Sequence, residues 1–68
     1  MTLDEKRVEV ELARNQMNKK DLAERAGMSR QRLNVLLNSK RITAKTAGKI
    51  ANALLVDVLD IIKQEGNA

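Results

Sequence analysis

The sequence predicts an all-α domain, a compact bundle of five helices. The 68 residues contain no Pro and three Gly, and strong helix formers such as Ala, Leu, Lys, Arg and Glu supply much of the chain. Apolar residues recur at the three- and four-residue spacing of a helix face. Residues that cap or end helices separate these apolar stretches. We expect residues 1–68 to form a single domain, because a chain this short builds one core.

The first helix is predicted over about Asp4–Gln16, with Thr2 or Asp4 as its N-cap. Its apolar residues form two groups, one around Val8 and one around Val10. Both groups cannot face one small core equally, so we expect Val10 to be partly exposed.

The second helix is predicted over Lys19–Ala26. Asn18 is a suitable N-cap, and Asp21 three residues later completes a variant of the capping box. Gly27 ends the helix because it adopts positive φ without steric cost.

The third helix follows after about three residues. Ser29 is its predicted N-cap, the helix reaches roughly to Leu37, and Asn38 is its predicted left-handed end. On a helical wheel Leu33, Leu36 and Leu37 share one face, and the opposite face carries Gln31, Asn34 and Val35.

Two further helices are predicted. Thr43 caps a fourth helix over Ala44–Leu54, and Asp57 caps a fifth over Val58–Glu65, which Gly66 closes. The apolar face of the fifth helix is wider than a surface helix needs to meet its own core, so we expect part of it to meet another molecule.

The spacing within residues 19–38 is typical of a helix-turn-helix. Ala23 is small where two helices would cross, Gly27 follows four residues later in the turn, and Leu33 with Leu36 anchors the following helix. The alternative is a structural helical hairpin.

The stretch LAERAGMSRQRLNVLLNSK, followed by KIANALLV, resembles the Xre/Cro-like helix-turn-helix family of phage repressors and small bacterial regulators. The resemblance covers about residues 4–64 and implies a lambda-repressor-like five-helix domain that binds operator DNA as a dimer, without enzymatic activity. The chain departs from the family at Asn38 and Leu55, where members often have Gly. It also has Leu12 and Leu37 where many members pair an Arg with a Glu.

Positive charge is concentrated in the middle of the chain. Residues 19–49 carry nine bases and two acids, whereas the whole chain has a net charge of +4. Such a field favours a polyanionic partner, nucleic acid or an anionic membrane surface, although surface lysines also serve solubility alone. The absence of aromatic residues disfavours single-stranded nucleic acid, whose binders usually stack bases on aromatic rings.

If the third helix enters the major groove, its N-terminal and outward residues would contact base edges. The predicted base-reading residues are Arg30, Gln31, Asn34 and Val35. The predicted phosphate contacts are Asn18, Lys19, Lys20, Ser29, Arg32, Lys40, Arg41 and Lys45. The predicted subunit contact consists of Leu55, Val56, Val58 and Ile61.

The sequence therefore predicts a sequence-specific double-stranded DNA-binding regulator, acting as a repressor and binding an inverted-repeat operator as a homodimer. The alternative is a protein-interaction module, such as an antitoxin or an anti-repressor partner. An enzyme is disfavoured because the chain has no His or Cys, and its paired carboxylates, including Glu9 with Glu11, are expected on helix surfaces or at a cap. No cofactor or metal is expected. The charged N-terminus and the lack of a long apolar stretch predict a cytoplasmic protein without a membrane span.

Overall fold

The computed structural model describes residues 1–63 of the chain, and these residues form an all-α structure. The helices are α1 (Glu5–Arg14), α2 (Lys19–Ala26), α3 (Arg30–Ser39) and α4 (Ala44–Leu54), followed by a short 3-10 helix (Val58–Asp60). The all-α part of the predicted fold class is therefore confirmed, and α2 and α4 have the predicted bounds. α1 ends two residues earlier than predicted.

The prediction of a fifth α-helix is wrong. Within the described residues it is reduced to the 3-10 helix, and its predicted end at Glu65 and Gly66 lies outside them. The reason is that the chain beyond Asp60 pairs with the N-terminal segment. The amide of Asp4 donates to the carbonyl of Ile61 (2.8 Å), and the amide of Lys63 donates to the carbonyl of Thr2 (2.8 Å). A continuing helix would need different partners for these groups.

Each α-helix begins at a side chain that accepts a backbone N–H from its first turn. These N-cap residues are Asp4, Asn18, Ser29 and Thr43. The carbonyl oxygen of the Asn18 side chain accepts from the amide of Asp21 (2.8 Å), and the carboxylate of Asp21 accepts in return from the amide of Asn18 (3.2 Å). The predicted capping box is thus confirmed.

A left-handed residue follows each α-helix. The four are Gln16 (φ 55°), Gly27 (φ 73°), Lys40 (φ 64°) and Leu55 (φ 61°). The prediction that Asn38 would end α3 in this conformation is wrong, because α3 continues through Ser39. The amide of Lys40 donates to the carbonyl of Leu36 (2.8 Å), which closes the helix in the αL motif.

The N-terminal segment, residues 1–4, is extended and lies between two other parts of the chain. Thr2 forms an antiparallel bridge with Arg41, and Leu3 forms one with Ile62. The side chain of Leu3 is fully buried in the core. This arrangement was not predicted from the sequence, and it ties the residues after α3 to those after the 3-10 helix.

The core is entirely aliphatic and draws on all four α-helices. Its fully buried members include Val8, Leu22, Leu33, Ile50 and Leu54. Leu12 and Leu37, the two apolar departures from the pattern of the resembled family, are both buried in this core. Val10 is 51% exposed, as predicted. No helix within residues 1–63 has the length and apolar character to cross a lipid bilayer.

Glu11 is buried, with 2% of its surface exposed, so the prediction that it lies on a helix surface is wrong. It occurs one turn after Val8 and next to Leu12, on the inward face of α1. The guanidinium Nε atoms of Arg7 and Arg14 lie 3.4 and 3.5 Å from its two carboxylate oxygens. Both arginine side chains remain partly exposed to solvent, whereas the carboxylate that they pair with is buried.

Candidate nucleic-acid interface

The turn between α2 and α3 is built around Gly27. Its amide donates to the carbonyl of Glu24 (3.2 Å), and the amide of Met28 donates to the carbonyl of Ala23 (2.9 Å). This pair of bonds is the Schellman motif, which requires a left-handed residue at the position of Gly27. Ala23 and Ala26 are buried, and their small side chains allow close packing on the inner side of α2. The two helices therefore form a helix-turn-helix.

α3 has one buried and one exposed face. Leu33, Leu36 and Leu37 are at most 8% exposed. All the residues predicted to read bases are exposed, namely Arg30, Gln31, Asn34 and Val35. The predicted orientation of α3 is confirmed, and its contact with DNA stays a prediction.

Val35 is the apolar member of the exposed face. Its side chain is 58% exposed at the middle of α3, although its neighbours along the helix, Leu36 and Leu37, are buried. An exposed aliphatic side chain among polar groups suits contact with the methyl group of thymine in the major groove.

Cationic side chains flank α3 in the chain on both sides. Lys20 precedes it at the start of α2, and Lys40, Arg41 and Lys45 follow it; all four are exposed, and Lys19 is half-buried. Arg32 on α3 and Arg41 line the same groove, of about 430 Å³, together with Thr43 and Thr46 at the start of α4. The groove therefore combines two guanidinium groups with the first turn of a helix, where anions are favoured.

Asn18 and Ser29 have donors left after capping their helices. The side-chain oxygen of Asn18 accepts from Asp21, and the hydroxyl oxygen of Ser29 accepts from the amide of Arg32 (3.1 Å). The amide NH₂ of Asn18 and the hydroxyl hydrogen of Ser29 are separate donors, and each is suited to a phosphate oxygen. Both residues are exposed.

The predicted subunit contact needs one correction. Leu55 is 77% exposed, and Val56 and Val58 are partly buried against the core. Ile61 is fully buried within the chain, so its side chain is removed from any surface. Leu59, which belongs to the wide apolar face predicted for the fifth helix, is 61% exposed and lies four residues after Leu55.

Comparison with known families gives a match over most of the chain. A family model described as a Cro/C1-type HTH DNA-binding domain matches residues 7–66. Comparison with curated proteins and with solved structures gives no significant match. The matched region includes α2, the Gly27 turn and α3 with its exposed face, and it confirms the resemblance seen in the sequence.

Proposed function

Since the chain belongs to the Cro/C1-type helix-turn-helix DNA-binding domain family, we propose that it is a sequence-specific transcriptional repressor that inserts α3 into the major groove. The exposed face of α3 carries this proposal. It presents hydrogen-bonding and cationic side chains on a helix whose opposite face is fixed in the core. The proposed role is non-enzymatic, and its place is the cytoplasm, on the bacterial or phage DNA that it controls.

Base edges are contacted by four residues in this proposal. Gln31 and Asn34 each have the donor and acceptor needed for paired bonds to adenine, and Arg30 suits guanine. Val35 suits a thymine methyl group. Each bidentate contact discriminates against a wrong base by about 1–3 kcal/mol. These contacts give sequence preference, because the base edges differ from one sequence to another whereas the phosphates do not.

Backbone phosphates are contacted by the flanking groups. Asn18, Lys19 and Lys20 serve one side of α3, while Lys40, Arg41 and Lys45 serve the other. Ser29 is the N-cap of α3, and Arg32 lies in its first turn. These contacts fix the register of the protein on DNA and make affinity depend on salt, because each phosphate neutralised releases condensed counterions.

The protein binds as a homodimer in this proposal. A single domain of this size buries too little surface on DNA for tight specific binding. Leu55, Val56 and Val58 form the subunit contact, and the exposure of Leu59 adds it to them. A two-fold dimer places two α3 helices about 34 Å apart, one turn of DNA, and predicts an inverted-repeat operator.

The experiment that tests this function is selection of bound duplexes from a random pool. We expect the selected sequences to converge on an inverted repeat, and a titration with that duplex to saturate at low ionic strength. Sedimentation with and without the duplex gives the stoichiometry. A pool that never converges, with no saturable binding to any duplex, would contradict the proposal.

A protein-interaction module, such as an antitoxin or anti-repressor partner, is the second candidate. The exposure of Val10, Leu55 and Leu59 favours it, because these apolar side chains are exposed on elements other than α3. The polar face of α3 favours DNA. A stable complex with a partner protein, formed by a chain that binds no duplex, would support this second candidate against the first.

A further inference from the structure

Residues 40–42 are held in place by the N-terminal segment. The carbonyl of Lys40 accepts from the amide of Leu3 (2.7 Å), and the amide of Ile42 donates to the carbonyl of Met1 (3.1 Å). The side chains of Leu3 and Ile42 are buried and anchor both partners. Lys40 itself is fixed in a left-handed conformation at the end of α3. The backbone of this segment therefore has little freedom to move.

The ammonium group of Lys40 faces the first residue of α1. Its Nζ lies 3.9 Å from Oε1 of Glu5, and the two side chains are 47% and 35% exposed. An ion pair of this length between partly exposed groups contributes little to folding stability. Lys40 can therefore exchange Glu5 for another anion at small cost to the fold.

Lys40 differs from the other bases of the proposed DNA-binding surface because it makes an ion pair. Of the nine bases between residues 19 and 49, Lys40 alone makes an ion pair within the part of the chain that the structure describes. The other ion pairs of that part join Glu11 to Arg7 and Arg14 on α1. Glu5 is thus the acid that pairs with a base of the proposed DNA-binding surface within the described residues.

We propose that Glu5 competes with a DNA backbone phosphate for Lys40 and so lowers the affinity of this protein for every duplex. The inference rests on the proposed function. When Lys40 contacts a phosphate, it leaves Glu5, and the carboxylate then lies near a second negative charge. This penalty does not depend on base sequence, because phosphates are the same in every duplex. Glu5 limits sequence-independent binding and leaves base preference unchanged.

The test compares Glu5→Gln with Glu9→Gln. Both variants change the net charge by the same amount on α1, and Glu9 is exposed and makes no ion pair within residues 1–63. The probes are the selected operator duplex and a scrambled duplex. We expect Glu5→Gln to bind both about two- to five-fold more tightly, since exposed ion pairs are worth that much. Its plot of log K against log salt should steepen by up to about one unit. Glu9→Gln should change affinity by clearly less.

The same comparison in a Lys40→Ala background shows whether Glu5 acts through Lys40. There Glu5→Gln should have no larger effect than Glu9→Gln. Circular dichroism checks that all variants remain helical. Equal effects of the two substitutions in the wild-type background, or an effect of Glu5→Gln that persists without Lys40, would overturn the inference. If the wild-type chain forms no saturable complex with any duplex, the proposed function fails; if it binds and Glu5→Gln matches Glu9→Gln, the inference alone fails.

Discussion

Leu55 ends α4 in the same left-handed conformation in which Gly27 ends α2, with φ angles of 61° and 73°. Both ends also share the Schellman pattern of hydrogen bonds, which at Leu55 runs from its amide to Asn52 (3.1 Å) and from Val56 to Ala51 (3.0 Å). For a residue with a Cβ this conformation costs roughly 1–2 kcal/mol. The chain thus places an exposed, strained Leu where Gly would relieve the strain.

Leu55→Gly should stabilise the folded monomer by about 0.5–1 kcal/mol, because Gly relieves the positive φ but adds entropy to the unfolded chain. If Leu55 belongs to the subunit contact, the same change should weaken self-association. Gln16→Gly is the matched control, since Gln16 is exposed with φ 55°. Urea unfolding and sedimentation measure the two effects. Equal self-association of both variants would remove Leu55 from the contact.

Gly27→Ala should destabilise the protein by about 1 kcal/mol. The cause is backbone strain alone, because a Cβ at Gly27 would meet no atom within 4 Å beyond its own residue and its chain neighbours. Gly48→Ala is the control: its Cβ also meets no atom within 4 Å, but Gly48 lies inside α4. There Ala should stabilise the helix by up to about 1 kcal/mol. Thermal unfolding of the two variants should therefore shift in opposite directions.

Gln31→Ala and Asn34→Ala should each relax the preference at one base pair per half-site, with a loss of about 1–3 kcal/mol on the selected operator and little loss on a scrambled duplex. Lys19→Ala should weaken both duplexes alike and flatten the salt dependence. Titrations of both duplexes at several salt concentrations separate the two patterns. The same sequence-independent loss in all three variants would show that α3 does not enter the groove as proposed.

The joint substitution Arg7→Ala and Arg14→Ala should destabilise the protein by about 1–3 kcal/mol. It leaves the buried carboxylate of Glu11 without its two ion-pair partners, and the partial exposure of both arginines keeps the loss below that of a fully buried pair. Adding Glu11→Met should recover much of the loss, because it removes the stranded charge. Arg25→Ala is the control, since Arg25 is exposed and makes no ion pair within the described residues. A double variant as stable as this control would contradict the prediction.

The parts of the fold governed by local chemistry were predictable from the sequence. Asn18, Asp21 and Gly27 fix the bounds of α2 through side-chain caps and a positive φ, and the spacing of Leu33, Leu36 and Leu37 fixes the orientation of α3. Each of these effects acts within about one helical turn, so a single sequence shows it.

The mistaken predictions concern residues whose burial or hydrogen bonding is decided by other parts of the structure. Nothing near Ile61 in the sequence shows that its backbone carbonyl accepts from Asp4, and the apolar run 58–62 favours a helix until that partner is known. Burial of Glu11 likewise goes with ion pairs to Arg7 and Arg14, and helix periodicity alone does not distinguish such a buried, paired carboxylate from a solvated one. Local signals determine where helices begin, whereas long-range hydrogen bonds determine the path of the chain after the last helix.

The N-terminal segment joins the two parts of the chain that flank it into one cooperative unit. Leu3 and Asp4 donate to Lys40 and Ile61, while Ile42 and Lys63 donate to residues 1 and 2. Release of residues 1–4 would expose all these amides together, so their hydrogen-exchange rates should rise in parallel when the segment opens. Local opening of residues 1–4 would then also release residues 40–42, which directly follow α3, and this requires no change in the helices between these two segments.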